Sequence, residues 1–176
     1  MHAHRFETSC VNVVDGRPYW RDVGTVDAYW AANMDLTRVV PELNLYADAW
    51  PILGVQRQLP PAKFVFDDDG RRGMAVDSLV SSGCIVSGAT VRRSILFSKV
   101  RVGEGSVVED SVVLPNVVVG RDVRLARTVI DKHCRVPDGF RVGFDAAADR
   151  ARGLHVTAGG ITLVTPQMLG QPVRSG

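Results

Sequence analysis

A chain of 176 residues with 45% hydrophobic and 23% charged residues has the composition of an ordinary globular protein, long enough for one domain and part of another. The formal net charge is only +2, and the basic residues are scattered as pairs such as Arg71-Arg72 and Arg92-Arg93, which argues against nucleic acid as a principal partner. Cys10, Cys84 and Cys134 form an odd, widely spaced set without a CxxC pair, so neither a disulfide framework nor a structural zinc site is expected. No apolar run approaches the roughly 20 residues of a spanning helix. The start, MHAHRFETSC, lacks the charged and apolar regions of a secretory leader, so a cytoplasmic protein without membrane contact is expected.

In chain order, CVNVV (10–14) reads as a buried strand and PYWRDVGT (18–25) as a strand end and turn. Thr25 is a candidate N-cap for a helix from Val26 to about Leu36, with Val26, Tyr29, Trp30 and Asn33 on one side. Asp22 lies where the strand should end, just ahead of that helix, a position at which α/β folds present groups to ligands. An aspartate there also serves plain turn and capping hydrogen bonds, so position alone makes it a candidate. All three tryptophans and all three tyrosines precede Gly70, and Pro41, Pro51, Pro60 and Pro61 mark residues 37–75 as an irregular linker ending in the turn DDDGRRG.

From Val76 a repeat takes over. RRSILFSKVRVGEGSVV (92–108), EDSVVLPNVVVGRDVRL (109–125) and ARTVIDKHCRVPDGFRV (126–142) share a small polar residue, two aliphatics and later valines, and VDSLVSSGCIVSGATV (76–91) is a copy one residue shorter. Ser94, Val100 and Ser106, then Ser111, Val117 and Val123, then Thr128 and Cys134 recur every five or six positions, giving three short strands per coil. Such strands cannot bury a face alone but can stack on their equivalents in neighbouring coils. The expected fold is mainly β: a left-handed parallel β-helix of about four coils over 76–142, capped by 143–176. A β-sandwich also alternates strands and turns, but its loops vary in length where this spacing does not.

The runs PYWRDVGTVDAYWAANMDL (18–36), LPPAKFVFDDDGRRGMAVDSLVSSGCIVSGATVRRSILFSKVRVGEGS (59–106), SVVLPNVVVG, VIDKHCRVPDG and GGITLVTPQML together resemble the bacterial ADP-glucose pyrophosphorylases, the glucose-1-phosphate adenylyltransferases of glycogen synthesis. The resemblance implies Mg²⁺-dependent attack of glucose 1-phosphate on the α-phosphorus of ATP, giving ADP-glucose and diphosphate. It implies that residues 1–36 are the end of the catalytic nucleotidyltransferase domain, with Asp22 helping to hold the metal and Trp20 lying against the sugar phosphate. The family's Gly-rich nucleotide loop, its second metal aspartate and its sugar-phosphate lysine match nothing here, so the resemblance implies a portion that does not catalyse alone. It further implies a homotetramer assembled through the β-helix and regulated by allosteric metabolites.

Two departures from enteric members stand out. Lys132 replaces an arginine that contacts AMP, and GQPVRSG replaces their basic C-terminal tail, so different effectors are expected. Competing readings are a stand-alone regulatory β-helix module and a hexapeptide acyltransferase. The latter needs a histidine base on a loop between coils, whereas His133, the sole histidine of the coils, lies inside a regular repeat.

Overall fold

The computed structural model describes residues 5, 18–49, 51–53 and 57–172. The expected strand at 10–14 and Cys10 lie outside the described residues.

The repeat winds into a triangular prism with three parallel faces. The first face stacks β1 (Lys63–Val65), β6 (Ile85–Ser87), β9 (Arg101–Val102), β12 (Val118–Val119) and β15 (Arg135–Val136). The second stacks β4 (Met74–Val76), β7 (Thr90–Arg92), β10 (Val107–Glu109), β13 (Arg124–Ala126) and β16 (Arg141–Val142). The third stacks β5 (Leu79–Val80), β8 (Ile95–Leu96), β11 (Val112–Val113), β14 (Thr128–Ile130) and β18 (Thr162–Val164), with β17 (His155–Val156) antiparallel at its end. This is the left-handed hexapeptide β-helix that the spacing predicts.

Each corner uses the same device. One residue takes a left-handed backbone, and the next sends its side chain to the prism axis. The left-handed positions form columns: Asp77, Arg93, Asp110 and Arg127 at one corner, and Lys99, Asn116 and His133 at another. The inward residues after them are Ser78, Ser94, Ser111 and Thr128, then Val100, Val117 and Cys134. Val86, Val91, Leu96, Val108, Leu125 and Ile130 fill the axis between corners, all buried.

The small polar residue of each repeat has a specific task. Ser94, Ser111 and Thr128 are fully buried, and each donates its hydroxyl to the carbonyl two residues back, on Arg92, Glu109 and Ala126 at 2.7, 2.6 and 2.8 Å. The Ser94 and Ser111 hydroxyl oxygens also accept the backbone N–H of the next coil, from Ser111 at 3.1 Å and Thr128 at 3.2 Å, both across a separation of 17 residues. A continuous hydroxyl ladder therefore satisfies backbone groups that the tight turn would leave unpaired.

The prism starts earlier than the repeat is legible. β1 already pairs with β6 in parallel register, although residues 63–75 fall in the expected linker. A small hairpin, β2 (Asp67–Asp68) and β3 (Arg71–Arg72), interrupts this first coil and hides its period. At the other end the chain detours before its last third-face strand: Thr162 of β18 pairs with Thr128, two coil lengths earlier in the chain. The detour contains α2 (Ala146–Ala151) and β17, and covers the prism's end with Leu154 in the core. Buried Asp149 pins it by accepting from Gly143 N–H at 2.8 Å and Thr162 Oγ1 at 3.2 Å, and it pairs with Arg152. Gly143 is obligatory here: its φ is +87°, and a Cβ would strike the Ala126 carbonyl.

Thr25 caps α1 (Val26–Asp35) as expected, its Oγ1 accepting from Ala28 N–H at 3.1 Å. A helix without its catalytic-domain sheet is expected to expose apolar surface. Instead α1 lays Val26, Tyr29, Trp30 and Met34 on the outward side of the third face, against Val112, Val129 and Ile161. Asn33 turns back to the Tyr29 carbonyl at 2.9 Å.

Cys84 and Cys134 occupy the same axial column as Val100 and Val117. Burial raises both thiol pKa values, that of Cys134 to about 12. Both thiols are thus expected to resist a thiol reagent in the native state and to react once urea unfolds the chain, as peptide mapping would report. Because the Cys134 thiol deprotonates more readily when unfolded, its contribution to stability is complete below about pH 9 and is lost as pH rises towards about 12. Cys134→Val should flatten that alkaline loss in urea titrations.

Ser111→Ala removes one donor and one acceptor from the ladder and should destabilise the fold by about 1–3 kcal/mol in urea denaturation. A change near zero would mean that the ladder contributes no net stability.

Candidate functional site

Residues 18–25 run without regular structure into α1. Trp20 is 70% exposed. Asp22 is also exposed, and its Oδ1 accepts the N–H of Gly24 at 2.9 Å in a two-residue turn. That bond occupies one carboxylate oxygen, and the other has no hydrogen-bond partner among the described residues. Arg21, between them, pairs with Glu42 at 2.7 Å, a surface contact of small energetic weight. Trp20 and Asp22 thus both lie exposed in the segment leading into α1.

Among the described residues, no three His, Cys, Asp or Glu side chains converge to hold a metal ion. A lone carboxylate suits a hard cation that fills its remaining positions with phosphate oxygens and water.

Lys132 lies elsewhere, in a cleft of about 870 Å³ running along the corner between the third and first faces. Arg57, Lys99, Lys132 and His133 supply its basic groups, and Ser98 and Asn116 supply neutral polar ones. Among the described residues, no carboxylate lines it. The corner turns build the wall coil by coil, because the left-handed residues Lys99, Asn116 and His133 stack in register. Asp131 accepts the Lys132 N–H at 2.7 Å and stays off the lining. The arrangement is chemically an anion cradle.

Sequence reading identifies Lys132 and, in another role, His133, but misses Arg57 and Lys99. Stacking the repeats on their corner positions brings Lys99 to Lys132 and His133. Arg57 comes from the connector, where no periodicity reports its place. His133 is half-buried within an unbroken corner, with φ +65° and its backbone N–H on the Pro115 carbonyl at 3.1 Å. No inserted loop carries it.

A sequence profile of the family described as GlmU-like, C-terminal hexapeptide, matches residues 60–164, more than half of the chain. The chain belongs to this family. It is also 65% identical over 170 residues, 97% of its length, to a glucose-1-phosphate adenylyltransferase of Nitrosospira multiformis. It is 61% identical over 173 residues to that of Nitrosomonas europaea and 61% over 174 residues to that of Dechloromonas aromatica. The chain spans about 40% of the length of these relatives. No helix among the described residues is long and apolar enough to cross a membrane.

A small oxyanion tests the cradle directly. Inorganic sulfate should bind with a Kd on the order of millimolar and shift the backbone amide resonances of Ser98, Lys99, Asn116 and Lys132. The double variant Lys99→Ala, Lys132→Ala should lose at least about tenfold in affinity.

Proposed function

We infer that this chain is the C-terminal part of a glucose-1-phosphate adenylyltransferase that makes ADP-glucose and diphosphate from ATP and glucose 1-phosphate for glycogen synthesis in the cytoplasm. The observation carrying this reading is the 65% identity to such an enzyme across 97% of the chain, through the Trp20–Thr25 segment as well as the β-helix. In this reading residues 1–36 complete the catalytic domain, and 37–62 connect it to the solenoid, which begins with β1.

Asp22 would hold Mg²⁺ with its free carboxylate oxygen, and Trp20 would lie against the sugar phosphate. When bound, the metal supplies charge neutralisation for the transferring phosphoryl group. The chain's own part is to present the carboxylate in a fixed turn and to offer an aromatic surface beside it, with the nucleotide loop coming from the portion of the enzyme that precedes these residues. The β-helix serves assembly, with a homotetramer as the expected state, and regulation. The cradle around Lys132 accepts an anionic effector, and lysine in place of the enteric arginine contacts it as a point charge without a bidentate fork. Effector preference therefore differs from that of the enteric enzymes.

In the full-length enzyme, Asp22→Asn is expected to lower turnover by about two orders of magnitude or more while leaving the melting temperature unchanged, because an exposed side chain carries little of the fold. Steady-state kinetics against Mg²⁺ checks it, and turnover near the parent's would remove Asp22 from the site.

A further inference from the structure

The segment carrying Trp20 and Asp22 has no secondary structure of its own, so its place is set by the helix it leads into. Only Val23 and Gly24 separate Asp22 from the helix cap Thr25, and Gly24 N–H is already committed to the Asp22 carboxylate. Wherever the first turn of α1 is fixed, Asp22 is fixed with it.

That first turn is bolted to the far end of the prism. Asp27 accepts a hydrogen bond from Thr157 Oγ1 at 2.6 Å and a longer one from Gly159 N–H at 3.4 Å. The Thr157 hydroxyl is itself oriented, since its oxygen accepts Ile161 N–H at 3.0 Å. The turn is closed by Gly160 N–H on the Thr157 carbonyl at 3.2 Å. A second clamp lies one helical turn on, where Trp30 Nε1 donates to the Asp110 carbonyl at 2.7 Å. Arg127 joins the two: it donates to the Gly159 carbonyl at 2.7 Å, and its guanidinium stands 5.8 Å from the Trp30 ring.

An acidic residue in a first helical turn ordinarily offsets the helix dipole from solvent. Asp27 instead spends its carboxylate on a turn 130 residues away. Covering the third face does not require this, because Val26, Tyr29, Trp30 and Met34 already do so.

We propose that Asp27 is a positioning residue: its latch to Thr157 and Gly159 holds the head of α1 on the β-helix cap and so sets where the Asp22 carboxylate stands. The proposal rests on the reading of Asp22 as a metal-holding group. It makes the cap, which touches no substrate, a determinant of metal affinity.

Three variants break the latch from different sides. Asp27→Asn removes the charge, and Thr157→Val removes the donor. Gly159→Ala acts by space alone, since a Cβ there would stand 2.6 Å from Asp27 Oδ1 while the backbone has no need of glycine's left-handed freedom. In the 176-residue chain, hydrogen exchange read by mass spectrometry should show the amides of α1 exchanging at least about tenfold faster in each variant, with the strands between 85 and 142 unchanged. In the full-length enzyme, half-saturating Mg²⁺ should rise about threefold or more at unchanged melting temperature, and Thr157→Ser should restore the parent value. Unaltered exchange in α1 would overturn the latch. Faster exchange with parental Mg²⁺ dependence, in an enzyme that Asp22→Asn inactivates, would overturn the positioning role alone. Normal turnover of Asp22→Asn would bring down the underlying reading, and the proposal with it.

Discussion

The left-handed corner is the constraint on which everything else rests. A strand of two or three residues cannot stand by itself, and three of them close into a coil only if the chain bends sharply between them without stranding its amides. Here a residue of positive φ makes each bend, and the side chain after it fills the axis or, as a hydroxyl, completes the hydrogen bonding. Because the unit of winding is one coil, side chains at equivalent corners stack one above another. That stacking turns a sequence period into surface columns, and the columns decide chemistry. One column alternates charge and ties Arg93 to Asp110 at 2.7 Å, while another gathers Lys99, Asn116 and His133 into the wall of a basic cleft.

The fold was largely legible because the corner demands specific residue types. Ser94, Ser111 and Thr128 stood out as small polar residues at constant spacing, and the ladder explains why alanine or valine would not do there. The first coil was not legible, since the Asp67–Arg72 hairpin lengthens it and Phe64 and Val65 share little with later strands. The docking of α1 left a signal that went unread. Third-face strands carry adjacent aliphatics, Ile95-Leu96, Val112-Val113 and Val129-Ile130, so one residue of each pair must point outward. First- and second-face strands mix that position, with Arg101, Arg124 and Arg135 in register with Ile85, Val107 and Val118. Only the third face keeps an aliphatic outward in each of these strands, and that unbroken column is the one α1 covers.

The site was legible to a different degree. Periodicity says nothing about Asp22 or Trp20, and only family resemblance raised them above an ordinary turn aspartate and an ordinary aromatic. Both are exposed in the structure. Lys132 was reached by the same route, but its basic neighbours are a property of stacking, visible once the coils are placed over one another. Asp27 was unreadable in advance, because its partners lie at the opposite end of the chain.

The detour before β18 has a consequence for how such a solenoid can change over generations. Thr162 lands in the same rung beside Thr128 that uninterrupted winding would give to the residue one coil earlier, so the excursion through α2 and β17 equals a single repeat in length. Removing that whole block would leave every remaining rung in phase, and the first coil behaves alike, since the Asp67–Arg72 hairpin lengthens it while β1 keeps its register with β6. The end of the prism, like its first coil, therefore carries its extra residues as a block outside the stacked strands, and the columns on either side keep their phase.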